Sequence, residues 1–166
     1  MTKSGTSILA IIAAAVIFFA ATVSMLVFPI QPPLVSSPQV SKTPTVNITL
    51  YGGEISTTKF GFGLTPTNLT SPGPTLVFKT TDVVNLTFVN AGKMPHAFVV
   101  TELPTYTAKH LFNSAIASAT NPLNSGQSGT AIFQPNTVEN VYYICPIPGH
   151  ADSFGMWGEV TITMSP

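Results

Sequence analysis

The chain has 166 residues and 45% hydrophobic content, enough for one domain with a proper core plus an appendage, and this excludes a disordered chain. Its six lysines, absent arginine and six acidic residues sum to zero with neutral histidine. No basic surface is available to neutralise phosphates, which argues against nucleic acid as a partner.

Residues 8–30 run 23 positions without a charge, against the ~20 that cross a bilayer. Lys3 on the short N-terminal side favours a cytoplasmic N-terminus, with the rest of the chain outside. The apolar run exceeds the ~7 to 15 residues usual in a cleaved signal peptide, so residues 1–30 are expected to form a retained anchor. The expected product is a single-pass cell-membrane protein with an extracytoplasmic domain. Residues 31–45, "QPPLVSSPQVSKTPT", carry four prolines among Ser, Thr and Gln and read as an extended tether. At ~3.1 Å per residue it reaches up to ~45 Å from the membrane.

From residue 46 to 166 the texture is β-rich. Strands are expected at 46–52, 75–80, 83–90, 97–102, 130–134, 138–145 and 157–164, several with apolar residues at every second position, as in Val84, Leu86 and Phe88. Short strands separated by turn residues predict an all-β, antiparallel β-sandwich. Between them, Ala108, Leu111, Phe112, Ala115 and Ile116 fall at helical spacing after a Thr107 cap, predicting one short helix over 107–118. Three N-x-Thr triplets, at Asn47, Asn68 and Asn85, are weak glycosylation signals.

The chemistry concentrates near the C-terminus, in "YYICPIPGHADSFGMWGEV". One thiol can close no disulfide within the chain, so Cys145 requires either burial or a task. Copper electron-transfer sites use two imidazoles and a thiolate in a trigonal plane with a distant thioether. Cys145 at a strand end, His150 in the next loop and Met156 before the following strand supply three such donors from one loop. His96, at the mouth of another strand in "NAGKMPHAFVV", is the best candidate for the fourth. Pro146, Pro148 and Gly149 stiffen and turn the loop. Met94 is a candidate wall of the site. Phe154 and Trp157 are candidate packing residues that exclude water, and His110, in the helical stretch, is a spare.

This loop, with the upstream "PHAFVV", resembles the ligand region of the cupredoxins, the type 1 blue copper proteins, and is closest to their sulfocyanin-, rusticyanin- and auracyanin-like members. The resemblance covers roughly residues 45–166 and implies a Greek-key sandwich. It also implies one copper ion with His96, Cys145 and His150 as equatorial ligands and Met156 as axial ligand. Two features depart from the family. Ala97 stands where Asn or Ser commonly braces the Cys loop, and five residues separate His150 from Met156, one more than in those relatives, which predicts a longer axial bond. By the same resemblance, an apolar patch of Pro146, Ile147, Pro148 and Phe154 around His150 is expected to meet partners.

These features point to an electron carrier rather than an enzyme, passing single electrons between redox proteins or membrane complexes. A further copper centre would need histidines beyond the one spare, His110, and a binuclear oxidase centre would need a second cysteine. A copper delivery or storage protein is the alternative, and a metal-free adhesion module stands behind it. The scarcity of charge suits an acidic exterior, where salt bridges fail.

Overall fold

The computed structural model describes residues 43–165. The expected membrane helix and most of the tether lie outside them; among the described residues no helix is long and apolar enough to cross a membrane. Eight strands are present: β1 (Val46–Ser56), β2 (Lys59–Gly63), β3 (Leu76–Lys79), β4 (Val84–Asn90), β5 (Val99–Thr101), β6 (Ser128–Phe133), β7 (Asn140–Ile144) and β8 (Trp157–Thr163). They form two four-stranded sheets, ordered β2-β1-β4-β6 and β3-β8-β7-β5. From β2 to β7 the chain changes sheet at every step, the crossing pattern by which a Greek-key sandwich closes its core.

All seven expected strands are found, but the pairing is not purely antiparallel: β1 runs parallel to β4 and β3 parallel to β8. The eighth strand, β2, is not among those expected, since the two glycines of "KFGFG" weaken its strand propensity. Its glycines answer a different need. A Cβ at Gly61 would strike the carbonyl of Thr70, and one at Gly63 the carbonyl of Asn68, because the 64–70 loop folds back over β2 and pairs Phe62 with Thr70. Glycine inside a strand marks such close backbone approach.

The helix expected over 107–118 does not form. Phe112, Asn113 and Ala117 take φ of 57°, 54° and 63°, which no right-handed helix tolerates. The apolar residues that mimic a helical stripe instead close the open edge beside β5. Phe98 exchanges backbone hydrogen bonds with Ile116 (3.0 and 2.8 Å) and His96 with Leu123 (3.0 and 2.8 Å). Leu111 N donates to Val100 O (2.8 Å), and Val100 N donates to the buried Ser114 Oγ (2.9 Å). Pairing satisfies an edge that would otherwise invite aggregation.

The core between the sheets is aromatic. Phe62 meets Phe88 at 5.8 Å and Tyr143 at 5.0 Å between centroids, both edge-on, and Phe98 stacks on Tyr143 at 5.8 Å. On the outer face of the first sheet, Asn85 Nδ2 donates to Asn47 Oδ1 (2.9 Å), so two of the three glycosylation triplets abut each other. Thr45, expected to end the tether, is already zipped to β4's approach: its N–H donates to Val83 O (2.9 Å) and its Oγ1 accepts from Val83 N (3.0 Å).

The order of strands places four chain segments at one pole. The end of β1, the turn after β4, the end of β7 and the start of β8 meet there. At ~3.3 Å per residue this pole lies roughly 26 Å along β1 from Val46.

Gly61→Ala is expected to lower stability by about 1–3 kcal/mol, since a backbone carbonyl rather than a flexible side chain must yield. Urea midpoints of the two full-length chains check this; equal midpoints would show that the loop moves aside freely.

Candidate metal centre

Cys145 follows β7, whose last residue Ile144 pairs with Val99 on one side and Trp157 on the other. This register lifts Cys145 into the pole between His96 and the start of β8. The thiol is fully buried and free. Beyond it, His150 N donates to Ile147 O (3.0 Å), with Pro148 and Gly149 between them and Gly149 at φ 85°. That combination marks a type II turn, which demands a positive φ at its third residue and favours proline at the second. The prolines of "CPIPGH" thus set a turn that returns His150 over Cys145.

The rest of the loop is one tight coil. Ser153 N and Phe154 N both donate to Gly149 O (2.9 and 3.0 Å), Gly155 N to Ala151 O (3.2 Å) and Met156 N to His150 O (2.8 Å). Gly155 closes it at φ 71°. The five residues between His150 and Met156 are thus spanned by hydrogen bonds that include the wide i+5 bond from Phe154 N to Gly149 O. Cys145 N donates to Met156 O (3.1 Å), which ties the two strand ends together.

Three candidate donors converge. His96, Cys145 and His150 place one ligand atom each within 4.8 Å of one another, all buried. Cys145 Sγ lies 3.3 Å from His150 Nδ1 and 4.0 Å from His96 Nδ1, and accepts the N–H of Ala97 at 3.4 Å. Met156 is fully buried in the same core cluster as Cys145. Gly52 makes room for it, since a Cβ there would sit 2.8 Å from the Met156 methyl and 2.7 Å from the Phe88 ring. His110, by contrast, is exposed and bridges Thr101, outside the cluster.

The thiol and the two facing imidazole nitrogens are buried against one another, with no second cysteine in the chain and no carboxylate on the facing nitrogens. The set is one soft and two borderline donors with a buried thioether nearby, which fits copper. Burial holds both imidazoles below the ordinary 6.5, His96 against the pull of Glu54, and His150 down to about 4. Burial likewise pushes the thiol up to about 11, against the backbone N–H groups of Ile147 and Ala97. The metal-free site is thus neutral, and a bound metal ion must displace the thiol proton.

Several neighbours were not legible as site residues. Phe60, on the unforeseen β2, stands edge-on to His150 (4.9 Å) and His96 (5.6 Å) and stacks on Phe154 (4.5 Å). Glu54, near the end of β1, accepts from Lys93 N (2.8 Å) and Met94 N (2.7 Å) and lies 3.4 Å from His96 Nε2. Burial pushes its carboxyl up, but the backbone N–H groups of Lys93, Met94 and Glu54 itself, together with His96, outweigh this and hold it below its ordinary range. Asn90, fully buried, donates through Nδ2 to Met94 O (2.7 Å) and Leu123 O (2.9 Å) and accepts from Gly92 N (2.9 Å). It supplies bracing that the side chain of Ala97 cannot.

Two expectations are revised. Met94 is 44% exposed and lines an outer cleft with Glu54 and Phe60 rather than the donor cluster. Pro146 is buried, so the apolar surface near His150 narrows to Ile147, Pro148 and Phe154. As expected of packing residues, Trp157 lies against Val99, Ile144 and Ala151, and Phe154 meets His150 edge-on at 6.3 Å and stacks on Phe60.

A profile of the sulfocyanin (SoxE) domain matches residues 33–165. The chain belongs to the sulfocyanin family. Among solved structures it is similar to auracyanin B, with 22% identity and a TM-score of 0.52 over 75% of this chain and 93% of that one. It is also similar to reduced rusticyanin, with 19% identity and a TM-score of 0.50 over 70% of this chain and 79% of that one. A blue copper oxidase from Nitrosomonas europaea aligns at 18% identity and a TM-score of 0.55 over 73% of this chain, which spans only 39% of the oxidase. These likenesses establish the cupredoxin sandwich. No curated protein matches the chain in sequence. As a sulfocyanin-domain cupredoxin, the protein is of the class that binds one type 1 copper ion, and His96, Cys145 and His150 are the buried group of side chains that could hold it.

Because the unfolded chain takes up imidazole protons near 6.5 and the folded metal-free site resists them, stability falls as pH drops below about 6.5, and falls until about 4, where His150 protonates in the fold. Urea midpoints of the metal-free sulfocyanin across that window check the slope; a flat profile would show that the imidazoles are not held neutral by burial.

Proposed function

We propose that this sulfocyanin is a membrane-anchored, extracytoplasmic electron carrier. One copper ion would be held by His96, Cys145 and His150, with Met156 as axial ligand. The observation that carries the reading is the convergence of the three donor atoms within 4.8 Å in a buried pole. Copper, when bound, supplies a one-electron couple. The protein's part is to fix the donors and keep water out. The type II turn, the 149–155 coil and the Cys145–Met156 bond fix one loop, and Asn90 and the Leu123 pairing fix His96. A donor set held this way needs little rearrangement between oxidation states, which favours rapid exchange.

His150 remains 5% exposed, flanked by half-buried Ile147 and Phe154 and exposed Pro148. A small apolar surface suits the brief encounters of redox partners, and these would be redox proteins or membrane complexes acting as donor and acceptor. Delivery or storage of copper is less well supported, because a site with His96 and Cys145 fully buried offers a recipient no ligand to attack.

Cupric salt added to the full-length chain is expected to give an intense blue or green colour and a reversible one-electron wave. A colourless protein whose circular dichroism shows it folded would sink the reading. The Met156→Gln variant is expected to change the paramagnetic resonance spectrum of the copper form; an unchanged spectrum would remove Met156 from the site.

A further inference from the structure

The Glu54 contact extends the electron-carrier reading and rests on it. We propose that Glu54 is a positioning residue for the metal centre, holding the His96 imidazole in the tautomer whose Nδ1 lone pair faces Cys145. The neutral ring has one N–H and one acceptor nitrogen. His96 Nε2 lies 3.4 Å from Glu54 Oε1, and Nδ1 lies 4.0 Å from Cys145 Sγ. A carboxylate can only accept, so the proton belongs on Nε2 and the lone pair on the donor side. Carboxylates that accept from the outer nitrogen of a metal-binding histidine set ring orientation and basicity in this way.

The surrounding backbone is shaped for this contact. The β1–β2 register shifts between Glu54 and Ser56, an irregularity of the kind that re-aims a side chain. Two glycines let the 91–95 turn press against β1 at that point. A Cβ on Gly53 would lie 2.7 Å from Gly92 N, and one on Gly92 would strike Glu54 Oε2. The turn is then gripped from both sides, its Lys93 and Met94 amides by Glu54 and its Met94 carbonyl by Asn90. Among the described residues, Glu54 is the carboxylate that pairs with the three-donor cluster, through His96. "GGE" and "NAGKMPH" form one device, written in two distant pieces of sequence.

Anchoring the turn and orienting the ring are separable by experiment. In the metal-free full-length chain, long-range proton–nitrogen correlation spectra are expected to show the His96 proton on Nε2, and a mixture of tautomers in Glu54→Ala. A proton on Nδ1 of the unmodified chain would overturn the proposal. In chelator competition, Glu54→Ala is expected to bind cupric ion about 10- to 100-fold more weakly. Glu54→Gln, which keeps the shape but not the charge, is expected to shift the midpoint potential upward, because a negative charge beside His96 favours the more oxidised site. Variants that match the unmodified chain in tautomer, affinity and potential would leave Glu54 a loop anchor only and defeat the proposal while sparing the carrier reading. An unmodified chain that binds no copper would defeat the carrier reading, and the tautomer spectra would still decide the orientation of His96. If Glu54→Ala does not fold, the spectra of the unmodified chain and of Glu54→Gln carry the test.

Discussion

The exclusion of water from one thiol and two imidazoles is the constraint around which the pole of this protein is built. Left in water, each group would be solvated and mobile; buried singly, each would cost free energy without return. Buried together they face one another at 3.3 and 4.0 Å, and all are held in their neutral forms by the same desolvation. The site is therefore poised against protons and open to a soft metal ion that can replace the thiol hydrogen. Phe60 is central to this, since one ring covers both imidazoles and is itself covered by Phe154.

Holding such a cluster demands rigidity from segments that are formally loops. The structure supplies it in two ways. The Cys145 loop is self-contained: a proline–glycine turn followed by a coil whose amides return to Gly149, His150 and Ala151. The His96 segment is held by neighbours, with Leu123 and Ile116 pairing along the edge beside β5 and Asn90 and Glu54 gripping the turn before it. The long excursion between β5 and β6 is thus part of the support of the centre. It pairs along the β5 edge through isolated bridges, without forming a regular strand.

How much of this could be read from the residues follows from the range of the signals. Seven strands were legible because the signals for them, β-rich runs between turn residues and in several cases alternation as in Val84, Leu86 and Phe88, are local. The donor loop was legible because its spacing lies within one stretch of sequence and only three histidines compete. The false helix over 107–118 shows the limit. Leu111, Phe112 and Ile116 do become core-facing, but through positive φ and edge pairing, which leave the same apolar spacing as a helix. Strand β2 is not among the expected strands for a related reason: the need for its glycines lies in the carbonyls of Thr70 and Asn68, contacts that local sequence does not contain.

Ala97 illustrates how a donor set can be held together with no polar side chain directly after its first histidine. The side-chain brace expected after the first histidine is missing, yet the Ala97 amide still reaches Cys145 Sγ at 3.4 Å. What a polar side chain would have held across the two loops is divided here between a backbone N–H, a buried Asn90 and a partly buried Glu54. Dividing it has a physical consequence. A neutral brace contributes only position, whereas a carboxylate contributes position and a negative charge at the outer nitrogen of His96, so this version of the fold couples the rigidity of its donor set to the electrostatics felt by that set.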